Sequence, residues 1–244
     1  MIFTFKSIEK LALSLSEVLI KHARESNRAG KPFNIALSGG STPSVLFEKI
    51  VYSTDDPGLW EQVNFYWVDE RCVPTDHIES NYRMTDNTLF RPLSLNYEHV
   101  YRMMGEEEPY AEAERYEAML RSQLPAREDL PCFNMILLGM GTDGHTASIF
   151  PDQMDLLHSG RICDVARHPG TGQQRITLTG QVINNANQVC FMITGAEKAS
   201  ILASILEDRK GSEKYPAAFI KPAWGTLEWY LDEEAAHLLK TSGR

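Results

Sequence analysis

Short apolar runs alternate with segments of helical periodicity along most of this chain, and that alternation limits the folds open to it. Phe33–Leu37, Val63–Val68 (VNFYWV) and Phe133–Leu138 (FNMILL) read as buried strands, as do stretches near Arg161–Ala166, Arg175–Thr179, Gln188–Thr194 and Leu227–Leu231. Between them, Ser7 to Asn27 sets Ile8, Leu11, Leu15, Val18 and Leu19 at helical spacing. Tyr110–Leu124 aligns Ala113, Tyr116, Leu120 and Leu124 in the same way, and Pro43–Tyr52, Asn81–Phe90 and Ala196–Leu206 read as further helices. Pro43 suits a first helical turn, which Ser41 or Thr42 can cap.

Strands joined by helices predict an α/β fold with helices on both faces of a mainly parallel sheet. A closed eight-stranded barrel also suits the length. The strands between Arg161 and Thr179 leave no room for a crossover helix, which favours an open mixed sheet. No repeat, low-complexity tract or composition break marks a domain boundary, and the length fits one large domain or two small ones. Gly105–Pro109, with Glu106, Glu107 and Glu108, reads as a solvated loop.

The 33 acidic residues outnumber the 24 Lys and Arg, a formal net charge of −9. That argues against a general binder of nucleic acid or anionic membrane, since both need clustered positive charge. An anionic small substrate remains open if a few basic residues gather at one place. Cys72, Cys132, Cys163 and Cys190 form no C-x-x-C pair, so neither a disulfide scaffold nor a zinc knuckle is expected. The N-terminus lacks the pattern of a secretory signal, and no stretch of about 18 apolar residues occurs. These features predict a cytoplasmic protein without a transmembrane helix.

Three loops carry residues suited to chemistry. Ser38-Gly39-Gly40-Ser41-Thr42-Pro43 follows a strand and opens a helix, so its glycines and free N–H groups can cradle a phosphate. No Lys follows in the G-K-[ST] arrangement, so it is not a Walker loop. Asp69-Glu70-Arg71 follows the VNFYWV strand, and carboxyl ends of strands are where ligands bind in open α/β sheets. Arg71 can meet a carboxylate or a developing oxyanion with two hydrogen bonds. Downstream, Asp76, His77, Ser80 and Asn81 have types that suit sugar hydroxyls.

The third loop is Gly139-Met140-Gly141-Thr142-Asp143-Gly144-His145-Thr146-Ala147-Ser148. Gly139, Gly141 and Gly144 match G-x-G-x-x-G literally, and Asp164 lies about 20 residues on, so a dinucleotide site must be considered. Against it, Pro151 follows His145 within two turns, and the motif needs neither the His nor the Asp inside the turn. A tight turn that presents His145 to take a proton from water is the better reading, with helix capping by His145 as the alternative. No G-x-S-x-G elbow occurs, which disfavours a covalent acyl-enzyme.

Together, ALSGGSTP, VDERCVPTDHIESNY and ILLGMGTDGHTASIFP, in this order, resemble the 6-phosphogluconolactonases, which share a superfamily with the glucosamine-6-phosphate isomerases/deaminases. RITLT, TGAEKASIL and WYLDEEAA extend the resemblance over nearly the whole chain. It implies a single modified doubly wound (Rossmann-like) α/β domain over residues 1–244, with no metal and no organic cofactor. The deaminase branch carries a carboxylate just before the proline of the His loop; here that residue is Phe150, which places the chain nearer the lactonases.

The implied activity is hydrolysis of 6-phospho-D-glucono-1,5-lactone to 6-phospho-D-gluconate, a step of the oxidative pentose phosphate pathway. The implied partner is that phosphorylated sugar lactone, with neither nucleic acid nor membrane involved. Its phosphate would sit on Gly39, Gly40, Ser41 and Thr42, with Lys198 and Arg175 as further basic groups. His145 would activate water and Arg71 would stabilise the oxyanion. Either Asp143 or Asp69 would orient His145. The rival readings are an amino-sugar phosphate isomerase/deaminase, a non-catalytic sugar-phosphate sensor and a dinucleotide-dependent oxidoreductase.

Overall fold

The computed structural model describes residues 1–240. Its strands are β1 (Ile2–Phe5), β2 (Phe33–Leu37), β3 (Val63–Trp67), β4 (Asp69–Arg71), β5 (Ala126–Arg127), β6 (Leu130–Pro131), β7 (Met135–Leu138), β8 (Cys163–Arg167), β9 (Gln174–Leu178), β10 (Gln188–Ile193) and β11 (Thr226–Asp232). Its α-helices are α1 (Ile8–Ala29), α2 (Ser41–Ser53), α3 (Asn81–Thr85), α4 (Arg91–Leu93), α5 (Pro109–Gln123), α6 (Gly180–Asn184), α7 (Ala199–Leu206) and α8 (Glu233–Ala236).

Six strands form one parallel sheet in the order β1-β11-β10-β7-β2-β3. Every residue of β2 and β7 is buried. Successive side chains of a strand point to opposite faces, so both faces of these central strands are covered, as a parallel sheet requires. α1 and α2 pack against each other, and the buried stripe Leu11, Leu15, Leu19 and Ala23 is the inward face of α1. That stripe repeats at the helical period read from the sequence.

The antiparallel strands expected within a mixed sheet form a sheet of their own. β8 and β9 pair antiparallel, and β9 pairs antiparallel with β4. α5 packs on β8 and β9, burying Ala113, Tyr116 and Leu120. Val68 is the joint between the two sheets. Its N–H donates to Leu37 O at 3.0 Å at the end of β2, and its carbonyl accepts from Leu178 N at 2.8 Å at the end of β9. The chain therefore leaves the large sheet at Val68, and Asp69–Arg71, expected as a loop, is a strand.

Two further differences have local causes. β1 escapes sequence reading because it is an edge strand whose side chains are largely exposed, and its partner β11 lies more than 200 residues away. The expected helix Asn81–Phe90 is α only to Thr85, then takes a wider π turn over Asp86–Phe90 ahead of Pro92 in α4. Proline has no N–H to donate, so the backbone there cannot continue a regular ladder. In the Gly105–Pro109 loop, Glu108 accepts from Ala111 N at 2.8 Å and so caps α5, and Glu106 pairs with Arg102.

The chain order around β2 positions the site. From β2 it runs outward through α2 to β3 at one edge, then returns to β7 on the other side of β2. The connections leaving β2 and β7 diverge, and a crevice opens between them at the carboxyl ends of the strands. The loops singled out in the sequence after β2 and β7 are these two connections.

Candidate active site

A cleft at this crevice is lined by the first loop (Gly39, Gly40, Ser41, Thr42), by Asp69 and Arg71, by His145, by Arg175 and by Lys198. Its volume is about 180 Å³, room for a single small metabolite. Nine of the ten site residues expected from the sequence thus converge on one place, although they span more than 150 positions of chain. The tenth, Asp143, stands directly behind His145.

The first loop does not cap its own helix. α2 begins at Ser41, its N-cap is Gly40 with φ +107, and no side chain caps it. The expected cap by Ser41 or Thr42 does not form, because the Thr42 hydroxyl instead meets the Thr194 hydroxyl at 2.9 Å. No acidic residue lies in the first turn. The opening N–H groups and the positive end of the helix dipole therefore face the cleft without an internal anion. Gly39 is required for a different reason: a Cβ there would lie 1.8 Å from Asn81 Oδ1.

Lys198 closes the short 3₁₀ turn Ala196–Lys198 after β10. Gly195, with φ +96, starts that turn, and its N–H donates to both Asp232 carboxylate oxygens at 3.1 Å. Asp232 also caps α8 by accepting from Ala235 N at 2.7 Å, so the loop carrying Lys198 is tied to the end of β11.

On the small sheet, Arg71 of β4 lies directly opposite Arg175 of β9, and Asp69 opposite Thr177. By the two-residue repeat of a strand, all four share one face. Like charges directly opposite each other are unfavourable in a sheet. Both guanidinium groups also have a buried Nε without a hydrogen-bond partner. Burial draws the Arg175 pKa down from its ordinary value, with Arg71 adding to the effect and Asp69 opposing it. Arg71 is held at its other end by Nη1 donating to Glu79 O at 2.5 Å.

Asp69 makes no hydrogen bond to His145. Its Oδ2 accepts from Ser148 Oγ at 2.6 Å, and Asn81 Nδ2 donates to its backbone carbonyl at 2.9 Å. Asp143 makes the contact instead: its Oδ1 lies 2.5 Å from His145 Nδ1 and accepts from His145 N at 3.1 Å. Burial pushes the Asp143 carboxyl up, but the hydrogen bond and charge of His145 outweigh this and hold it below its ordinary value. With Nδ1–H directed to a carboxylate, Nε2 keeps the basic lone pair. Gly141 makes the pairing possible, since a Cβ there would lie 2.2 Å from His145 Nδ1 and 2.7 Å from Asp143 Oδ1.

No helix follows His145. The chain makes a Thr146–Ile149 bridge, and its next helical turn is the 3₁₀ segment Met154–Leu157. Helix capping by His145 is thereby ruled out. A dinucleotide fingerprint needs a helix N-terminus at this point, so the literal glycine match is not such a site. Ala147 in this segment lines the cleft with φ +48, a strained conformation for a residue with a Cβ.

Three residues left open by the sequence have structural duties. Ser80 caps α3 and donates to Glu70 Oε2 at 3.1 Å, and Asn81 buttresses both Gly39 and Asp69. His77 is exposed and accepts from Glu79 N at 3.3 Å. Glu70 accepts backbone N–H groups from Arg71, Asn81 and Tyr82, anchoring the loop between β4 and α3. Burial nevertheless raises its pKa. Ser148 was missed; nothing in TASIFP distinguishes it as the residue that ties the His145 loop to β4.

Residues 6–229 match the family described as glucosamine-6-phosphate isomerases/6-phosphogluconolactonase. The chain belongs to this family. Among its members, the 6-phosphogluconolactonase of Treponema pallidum is 43% identical over 178 residues, covering 73% of this chain and 74% of the relative. The human 6-phosphogluconolactonase is 34% identical over 243 residues, covering 98% and 93%. The solved structure of 6-phosphogluconolactonase from Trypanosoma brucei superposes with a TM-score of 0.87 at 28% identity, covering 98% of each chain. A monomeric glucosamine-6-phosphate deaminase, 19% identical with a TM-score of 0.81 over 97% of this chain and 99% of its own, shares the fold.

Among the described residues, no three His, Cys, Asp or Glu side chains gather as metal ligands, and no helix is long and apolar enough to cross a membrane. All four cysteines are free thiols.

Proposed function

We propose that this family member hydrolyses 6-phospho-D-glucono-1,5-lactone to 6-phospho-D-gluconate. The observation that carries the proposal is the pairing of His145 Nδ1 with Asp143 in a cleft that also holds an uncapped helix N-terminus and two arginines with unpartnered Nε groups. One end of that cleft suits a phosphate, and the imidazole suits a proton transfer.

The phosphate rests on the Gly39–Thr42 N–H groups with Lys198, and Arg175 adds positive charge from β9. His145 Nε2 takes a proton from water as the water oxygen attacks the lactone carbonyl carbon. Arg71 stabilises the oxyanion of the tetrahedral intermediate and then the product carboxylate. Collapse breaks the bond from the carbonyl carbon to the ring oxygen, the His145 imidazolium returns its proton to that oxygen, and the carboxylic acid so formed releases its proton to solvent to give the carboxylate. Asp143 keeps the imidazole in the required tautomer throughout.

General-base assistance supplies roughly 10²–10⁴-fold, and holding the phosphate and the carbonyl in register supplies more. The δ-lactone is itself reactive, so no protein nucleophile is needed. Phe150 stands fully buried behind His145 and cannot transfer protons, which weighs against deaminase chemistry.

The test is a coupled assay in which glucose-6-phosphate dehydrogenase generates the lactone and its disappearance is followed, with spontaneous hydrolysis subtracted. Wild-type protein shortens the lactone lifetime. His145→Ala lowers kcat by about a hundredfold or more, the scale of lost base catalysis, and Arg71→Ala lowers it severely. Near-normal turnover of His145→Ala refutes the assigned base. Unchanged lactone lifetime with tight 6-phosphogluconate binding would make the chain a sensor.

A further inference from the structure

The Phe150 ring meets two groups of the cleft, His145 and Arg175, and also His168. It is fully buried, immediately before Pro151 at the end of the His145 loop. Its centroid lies 4.8 Å from that of the His145 imidazole, with the rings tilted by 46°. The Arg175 guanidinium carbon sits over the same ring at 5.6 Å, and His168 meets it edge-on at 5.3 Å. These partners come from the His145 loop, from β9 and from the end of β8, so one side chain sets the spacing among segments that are distant in sequence.

A phenyl ring exchanges no proton, so its influence must run through shape and electrostatics. Its faces carry partial negative charge, which attracts cations within about 6 Å. Arg175 is a permanent cation at that range. His145 becomes one only after it has taken a proton from water. An interaction that strengthens as the imidazolium forms favours the transition state over the ground state.

We propose that Phe150 is a positioning residue for the hydrolysis, fixing the His145 imidazole and the Arg175 guanidinium relative to each other and stabilising the imidazolium formed during the reaction. The inference rests on the proposed base role of His145. The other charged groups around the imidazole are Asp143 at Nδ1 and, lining the cleft, Asp69, Arg71 and Lys198. His168, on the far side of the shared ring contact, has its Nδ1 occupied by the N–H groups of Gly170 and Thr171, both at 3.1 Å. A substitution at position 150 leaves the chemical identity of each of these groups unchanged, and the shape-keeping replacement also keeps their spacing.

Two replacements test it. Phe150→Leu removes the ring, and pentafluorophenylalanine installed at position 150 keeps the shape while reversing the charge on the ring face. Each protein is assayed for kcat and KM across pH, and the His145 Cε1–H resonance is titrated by NMR without substrate. Phe150→Leu is expected to lower kcat roughly tenfold with KM within about threefold, the pattern of an interaction made in the transition state. Both replacements are expected to move the acidic limb of the rate profile, and the NMR titration of His145, to lower pH by about half a unit, the scale of a partly exposed cation–π contact.

Titration midpoints within 0.1 of wild type in the fluorinated protein, which preserves the packing, would overturn the proposal even if Phe150→Leu failed to fold. An NMR shift of the expected sign in a protein whose wild type leaves lactone lifetime unchanged would uphold the ring contact while refuting the hydrolase reading.

Discussion

Arg71 and Arg175 face each other across the β4–β9 ladder, each with a buried Nε that no protein atom accepts from. Two like charges at paired positions, both with donors that no protein atom satisfies, cost the fold stability. An anion between the two guanidinium groups would relieve both penalties, as the proposed function requires. Sites shaped for a ligand commonly give up stability in this way.

Anion binding should therefore stabilise the protein. At a hundredfold excess over Kd, 6-phosphogluconate adds about 2.7 kcal/mol. For a domain of this size that corresponds to a rise in Tm of roughly 5–10 °C. Thermal melts with 6-phosphogluconate, and with chloride at matched ionic strength, check this. Arg175→Gln should leave the Tm of the free protein unchanged or raised while shrinking the ligand-induced shift; a full shift in that variant would remove Arg175 from the anion site.

Gly141→Ala should lower turnover severely without unfolding the chain. The added Cβ meets His145 Cε1 and Nδ1 at 2.2 Å, and the imidazole, partly exposed at the cleft, is what must move. The backbone at Gly141 has no positive φ, so alanine introduces no strain of its own. A fall in kcat of about a hundredfold, the scale of lost base catalysis, with Tm within a few degrees of wild type is the expected outcome.

Asp143→Asn should lower kcat at least roughly tenfold by removing the carboxylate that fixes the imidazole tautomer. It should also alter the response of stability to acid. The folded pKa of Asp143 lies below its ordinary value, so its contribution is present above the ordinary carboxylate range and disappears as pH falls through the depressed folded value. The gap in unfolding free energy between wild type and Asp143→Asn should narrow as pH falls from about 5 to about 2, measured by urea titration. A constant gap would mean that the pairing contributes nothing in the folded protein.

Lys198→Ala should raise KM about tenfold or more with kcat nearly unchanged, because the phosphate is held equally in the ground and transition states. Steady-state kinetics on the lactone decide it. A fall in kcat at fixed KM would place Lys198 at the reacting carbonyl instead of the phosphate.

Much of this protein is readable from its residues. β2, β3, β7 and β10 are apolar enough to declare themselves as buried strands, and α1 and α5 carry their inward faces at helical spacing. Those signals are local: they depend on what neighbouring side chains do to one backbone segment, and so did the glycine, charged and histidine loops at the strand ends. What only the tertiary structure decided is non-local. Val68 hands the chain from one sheet to the other through partners on β2 and β9, so the strand character of Asp69–Arg71 depended on residues more than 100 positions away. Asp143 and not Asp69 pairs with His145, while the Asp69 carboxylate accepts from Ser148 on the distant His145 loop and from Asn81 at the start of α3. A hydrogen-bonding group of suitable type can serve several partners, and folding selects one by bringing distant segments into contact, which the order of residues along the chain does not record.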